Sequence, residues 1–139
     1  MRTIARLSIL VVVMLGTQTS AAHAGFSMKA FQTPSGTTMC AFFTVDGKTS
    51  LRCDVYKATN DPPAKPKSCD GDYGFSFSLR PSGAAKRNCV SDAIADPRKT
   101  KKLAYGTSIT RASMTCRSTR AALTCKNSSG HGFRLNRSA

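Results

Sequence analysis

The chain has 139 residues, with 21 Lys and Arg against seven acids, all of them Asp, six cysteines, and neither Glu nor Trp. That length suits one domain with a modest core. Beyond the first 24 residues His131 is the only histidine, so a ribonuclease built on two histidines, or on a Glu with a His, lacks its parts. A glycosidase would need two of the Asp residues, and no spacing singles out a pair.

In chain order, Arg2 and Arg6, the apolar stretch Leu7 to Leu15, and Ala22-His23-Ala24 form the three parts of an export signal. Cleavage is expected after Ala24. The stretch is too short to span a membrane, no second candidate span follows, and a secreted or periplasmic product is expected. Residues 1–24 are thus read as signal peptide and residues 25–139 as a single cysteine-rich basic β domain.

Thr37 to Val45 and Lys48 to Tyr56 are β-leaning runs joined by Asp46-Gly47, the strongest short hairpin signal, because a type I′ turn needs positive φ at both central residues. Closing that loop on Val45 and Lys48 sets Cys40 opposite Cys53 at a non-hydrogen-bonded site, where Cα atoms stand about 4.5 Å apart and a disulfide can bridge them. The register puts Phe42, Leu51 and Val55 on the cysteine face and Lys48, Ser50, Arg52 and Asp54 on the other. The cysteine face is expected to be the core.

Asn60 to Pro66 carries three prolines and reads as an extended surface loop. Phe75, Phe77 and Leu79 alternate with Ser76, Ser78 and Arg80, a half-buried strand, and Pro81-Ser82-Gly83 turns it toward Ala84 to Val90. Centred on Ser82, that hairpin opposes Cys89 to Phe75. A short helix is expected over Ser91 to Ala95, and further strands over Leu103 to Thr115 and Phe133 to Arg137. Leu123-Thr124-Cys125 repeats the Leu-x-Cys of Leu51-Arg52-Cys53, and a loop Thr119 to Ala122 sets Cys116 opposite Cys125. Cys69–Cys89 follows by elimination. The fold class is mainly β: a small disulfide-stapled antiparallel domain of hairpins, sandwich-like or barrel-like. Each bridge closing a loop of about 15 residues adds about 3 kcal/mol.

All seven acids precede residue 97, and ten basic residues follow Pro97. Such a field attracts anionic partners in a salt-dependent way. The densest run, Arg98-Lys99-Thr100-Lys101-Lys102, is the candidate anion site; Tyr105 is a lone aromatic nearby, so nucleic acid is not favoured. His131, between Gly130 and Gly132, is a candidate ligand contact or a turn-forming structural residue. As a base it would need a nucleophile and an acid such as Asp92 or Asp96. No metal-ligand spacing occurs, and the thiols of an exported chain are better used as disulfides. Neither metal nor cofactor is expected.

Five blocks resemble a family of small exported bacterial domains of unknown function: Phe31-Gln32-Thr33-Pro34-Ser35-Gly36, Leu51-Arg52-Cys53-Asp54-Val55, Cys69-Asp70-Gly71-Asp72-Tyr73-Gly74, Leu103-Ala104-Tyr105-Gly106-Thr107, and Cys125-Lys126-Asn127-Ser128-Ser129-Gly130-His131-Gly132-Phe133. The last is the most specific. The chain departs from the pattern at Thr37, where Asn is expected. The resemblance implies a bacterial source, export and three bridges, and it transfers no activity or catalytic residue. The expected role is non-enzymatic, binding anionic envelope polymers or an acidic partner protein. The alternatives are a secreted inhibitor or toxin-like effector presenting Asp61 to Lys67, and a small hydrolase using His131.

Overall fold

The computed structural model describes residues 25–138. The export signal read over residues 1–24, with its cleavage point, lies outside the described residues. Strands β1 (Phe26–Gln32), β2 (Thr38–Val45), β3 (Lys48–Val55), β4 (Asp72–Leu79) and β5 (Lys86–Val90) form one antiparallel meander, and β6 (Ser108–Arg111), β7 (Met114–Ser118), β8 (Leu123–Lys126) and β9 (Gly132–Leu135) form a second. The two sheets face each other through one core, which joins Phe42, Leu51 and Leu79 of the first to Met114, Leu123 and Leu135 of the second. Of the two architectures expected, this is the sandwich.

The first hairpin forms in the expected register, with Val45 opposite Lys48 and Cys40 opposite Cys53. Asp46 and Gly47 have φ of 49° and 73°, the left-handed pair that a type I′ turn requires. Cys40 and Cys53 are bridged with their Cα atoms 4.0 Å apart, and Phe42, Leu51 and Val55 lie in the core beside them. Cys116–Cys125 is bridged at the same 4.0 Å. Its turn lacks Gly, and the Thr119 hydroxyl closes it instead, donating to the Ala122 carbonyl and accepting from the Ala122 N–H. Cys69–Cys89 completes the set and ties β5 to the loop before β4.

Three expectations are corrected. No helix forms over Ser91 to Ala95, because five residues supply too few intrahelical bonds to offset nucleation and Ile94 is instead buried against Met39 and Ala41. The β4–β5 pairing begins as expected, with Phe77 opposite Arg87, but an irregularity then sets Cys89 opposite Tyr73 in place of Phe75. Gly74 lies within the shift at φ 139°, and a Cβ there would stand 2.6 Å from the Pro62 side chain. Only glycine meets both conditions. Finally, the run Leu103 to Thr115 is not one strand. It contains a turn at Tyr105-Gly106, then β6, then a tight turn at Ala112-Ser113 with φ of 46° and 63°, a hairpin turn that its residue types do not announce.

One strand is unforeseen: β1, which pairs along its whole length with β2. It also completes an internal repetition. Across the first sheet one rung reads Phe31, Cys40, Cys53, Phe77, and across the second the corresponding rung reads Ile109, Cys116, Cys125, Phe133. In both, Leu precedes the second Cys by two and pairs with another Leu: Leu51 with Leu79, Leu123 with Leu135. The two rungs meet where the Phe77 and Phe133 rings stand 5.9 Å apart.

The repeated frames differ on their outer faces. Side chains flanking an inward cysteine point outward. In the first sheet those are Met39, Ala41, Arg52 and Asp54, and they are covered: Ile94 packs on Met39 and Ala41, while Arg52 bonds Asp54 at 2.8 Å and Asp92 at 3.0 Å. In the second sheet they are Thr115, Arg117, Thr124 and Lys126, and Thr115, Arg117 and Lys126 are exposed.

Candidate functional site

Gln32, the last residue of β1, organises the basic loop. Its N–H donates to the Lys101 carbonyl at 3.0 Å and its carbonyl accepts from the Leu103 N–H at 2.8 Å. Its side-chain amide donates to the carbonyls of Pro97 at 2.7 Å and Thr100 at 2.6 Å. The run from Pro97 to Lys102 is therefore a fixed loop, with Lys99, Lys101 and Lys102 exposed on it. Arg98 is partly engaged, since it forms an ion pair with Asp96 at 3.2 Å, and those hydrogen bonds hold the Asp96 carboxyl below its ordinary range.

His131 is exposed. Its backbone belongs to the β8–β9 turn, where the carbonyl accepts from the Asn127 N–H at 2.9 Å and the N–H donates to Asn127 Oδ1 at 3.1 Å. Asn127, which was not singled out from the sequence, is the buried member of this block. Its Nδ2 donates to the carbonyls of Arg80 and Gly83 at 3.0 and 2.8 Å, and Ser128 Oγ donates to the Pro81 carbonyl at 2.9 Å. The β8–β9 turn of one sheet is thereby fastened to the β4–β5 turn of the other. Asp92 and Asp96, the acids considered as partners for His131, bond Arg52 and Arg98 instead.

The loop Asp61 to Lys67 is exposed and free of strand. It borders a groove of about 530 Å³ in which Asp54, Asp72 and Asp92 approach Tyr56 and Tyr73. Burial, with the charges of Asp54 and Asp92, raises the Tyr56 phenol against the lowering effects of a hydrogen bond from the Ile94 backbone and the charge of Arg52. Burial opposes the charge of Arg52, but the hydrogen bonds and charges of Asp54 and Asp92 outweigh it and hold the guanidinium in its charged form. This groove is built around an internal ion-pair network that pins the segment over the first sheet.

The outer face of the second sheet is a further cationic surface. Ser108, Arg117, Thr124 and Arg134 form one rung across all four strands, and Thr110, Thr115 and Lys126 stand on the next. No acid lies anywhere on β6 to β9. With neighbouring strands about 4.8 Å apart, Arg117 and Arg134 flank Thr124 at roughly 10 Å from each other. Among the described residues the ion pairs involve only Arg52 and Arg98 on the cationic side, so these three cations are not neutralised. Their sequence signal is plain once the cysteines are known to point inward: Thr115-Cys116-Arg117, Thr124-Cys125-Lys126 and Gly132-Phe133-Arg134 each place a cation one residue after a core side chain.

Among the described residues no group of His, Cys, Asp and Glu is placed to hold a metal ion, and no helix is long and apolar enough to cross a membrane. Comparison with curated proteins and with solved structures finds no match. Over residues 5–139 the chain matches the family of unknown function DUF6636, and it belongs to that family.

Proposed function

We propose that this is a secreted or periplasmic, non-enzymatic protein that holds anionic envelope polymers on the outer face of its second sheet, with Lys99, Lys101 and Lys102 of the basic loop as a further contact. The observation that carries the reading is the contrast between the two repeated frames. The first has its outer face closed by Ile94 and by the pairing of Arg52 with Asp54 and Asp92. The second leaves the same positions as uncovered Thr, Arg and Lys with no acid among them. A flat array of unneutralised cations about 10 Å apart suits an extended chain of repeating negative charges. The hydroxyls of exposed Thr115 and half-buried Thr124 beside the cations, with no aromatic on those rungs, favour a polysaccharide over stacked bases. The three disulfides suit an oxidising compartment.

Two triple variants of the oxidised protein test it on an immobilised anionic polysaccharide: R117A/K126A/R134A on the sheet face and K99A/K101A/K102A on the loop. Both remove three charges, so any effect of net charge alone shifts both elution points equally. The expected result is earlier elution, at clearly lower salt, for the sheet-face variant. Equal shifts would refute a defined binding face.

A further inference from the structure

At one end of the sandwich the β1–β2 turn, the β7–β8 turn and the C-terminal residues enclose a pocket of about 320 Å³. This is at the lower end of the ~300–1,000 Å³ of small-molecule sites, room for one or two sugar rings. Buried Thr38, Leu123 and Leu135 contribute to its lining. Arg120 and Arg137 are among its lining residues; neither is in an ion pair among the described residues, and Arg137 Nε donates to the Lys57 carbonyl at 3.4 Å, which leaves its terminal nitrogens for a ligand. No acid lines it.

Its walls are built before any ligand arrives. Thr33, Ser35 and Thr37 form a chain of hydroxyls linked at 3.1 and 2.9 Å. Thr33 Oγ1 is held by the Thr38 N–H and carbonyl, which leaves the Ser35 and Thr37 hydroxyls, each both donor and acceptor, to complement the hydroxyls of a sugar. Ser35 also accepts from the Thr37 N–H at 3.4 Å. On the opposite side Tyr105 sits in a turn closed by the Thr107 hydroxyl on the Ala104 carbonyl at 2.7 Å and anchored by the Gly106 N–H on the Ser118 carbonyl at 2.8 Å. Arg120 stands 5.3 Å from the centre of the Tyr105 ring, which pre-positions the guanidinium. The Arg137 backbone is fixed by the N–H and hydroxyl of Thr59, both donating to its carbonyl.

We infer that this pocket binds a sugar unit carrying an anionic substituent, a carboxylate, sulfate or phosphate. Arg120 and Arg137 take the charge, since guanidinium forks match planar and tetrahedral oxyanions. The hydroxyl chain takes the sugar hydroxyls, and the exposed Tyr105 ring offers the sugar an apolar surface. The site is separate from the sheet face, and it stands whether or not that face holds a polymer.

The test is amide chemical-shift titration of the full oxidised protein with four probes: glucuronic acid, glucose 6-phosphate, glucose and inorganic phosphate. The two charged sugars should shift the amides of Thr33, Ser35 to Thr38 and Thr119 to Leu123, with at least tenfold tighter binding than glucose or phosphate alone. The R120A/R137A variant should lose that binding tenfold or more with an otherwise unchanged spectrum, as both side chains are exposed, while R117A/K126A/R134A should keep it. Equal binding of inorganic phosphate would reduce the pocket to an anion sink and overturn the sugar assignment. So would an unaffected R120A/R137A variant, or no shift with any probe. Loss in the sheet-face variant would move the sugar to that face, overturning the pocket while leaving the polymer reading intact.

Discussion

The three disulfides differ in a way that a stability measurement can read. Cys40–Cys53, Cys69–Cys89 and Cys116–Cys125 close loops of sequence separation 13, 20 and 9. The chain-entropy relation assigns them about 3.0, 3.3 and 2.7 kcal/mol. On loop length alone, therefore, removing Cys69–Cys89 costs most. Burial reverses that order. Cys40 and Cys53 are 0% exposed in the centre of the core, whereas Cys89 is on the surface. Truncating each core sulfur to a methyl leaves a cavity about the size of one methylene, for about 1 kcal/mol apiece. C40A/C53A should then lose about 5 kcal/mol and C69A/C89A, in which only Cys69 is buried, about 4 kcal/mol. Urea unfolding monitored by circular dichroism measures both, with the midpoint shift read at a common slope. A loss for C69A/C89A equal to or larger than that for C40A/C53A would show that loop entropy governs these bridges and that the core does not depend on its sulfurs.

Two further predictions concern groups near the surface. Asn127→Ala should destabilise by about 2–3 kcal/mol in the same assay, because it strands two carbonyls and two N–H groups at a mostly buried site, whereas His131→Ala should stay within about 0.5 kcal/mol; similar losses for both would give the imidazole a structural role. The Asp96 carboxyl should titrate below the ordinary 3.8 and return toward it in Arg98→Ala, followed by carboxyl carbon shifts. Because the folded form holds this carboxyl low, the contact is fully present above the unfolded value and is lost as pH falls through the folded one. An unchanged titration in the variant would remove Arg98 as the cause.

Much of the first hairpin was legible because each level agreed: strand propensity, the Asp-Gly turn and cysteine reach selected one register. The Cys116–Cys125 hairpin was legible through its resemblance to the first, although Thr119 replaces turn glycine with a side-chain hydrogen bond. What was not legible depended on contacts far apart in sequence. The irregularity at Gly74 answers to Pro62. Ile94 sits in a segment whose local spacing cannot reveal Met39 and Ala41 beneath it. Strand β1 alternates poorly, with exposed Phe26 and Met28 at its start, so its edge position hid it. The basic loop was visible as a charge run, but the array of Arg117, Lys126 and Arg134 exists only once three strands are laid side by side. The Arg120 and Arg137 pocket likewise joins segments that sequence order keeps apart.

The placement of two cystines inside hairpins bears on how the chain reaches its oxidised state. Six free thiols admit 15 pairings, yet Cys116–Cys125 and Cys40–Cys53 each join partners that a short turn already brings face to face. Short loops close faster and at lower entropic cost than long ones, so both bridges can form while the sheets are still apart. Once they have, Cys69 and Cys89 have only each other. Oxidation is thereby steered toward the native set from the first bond, with little need for thiol exchange to undo wrong ones.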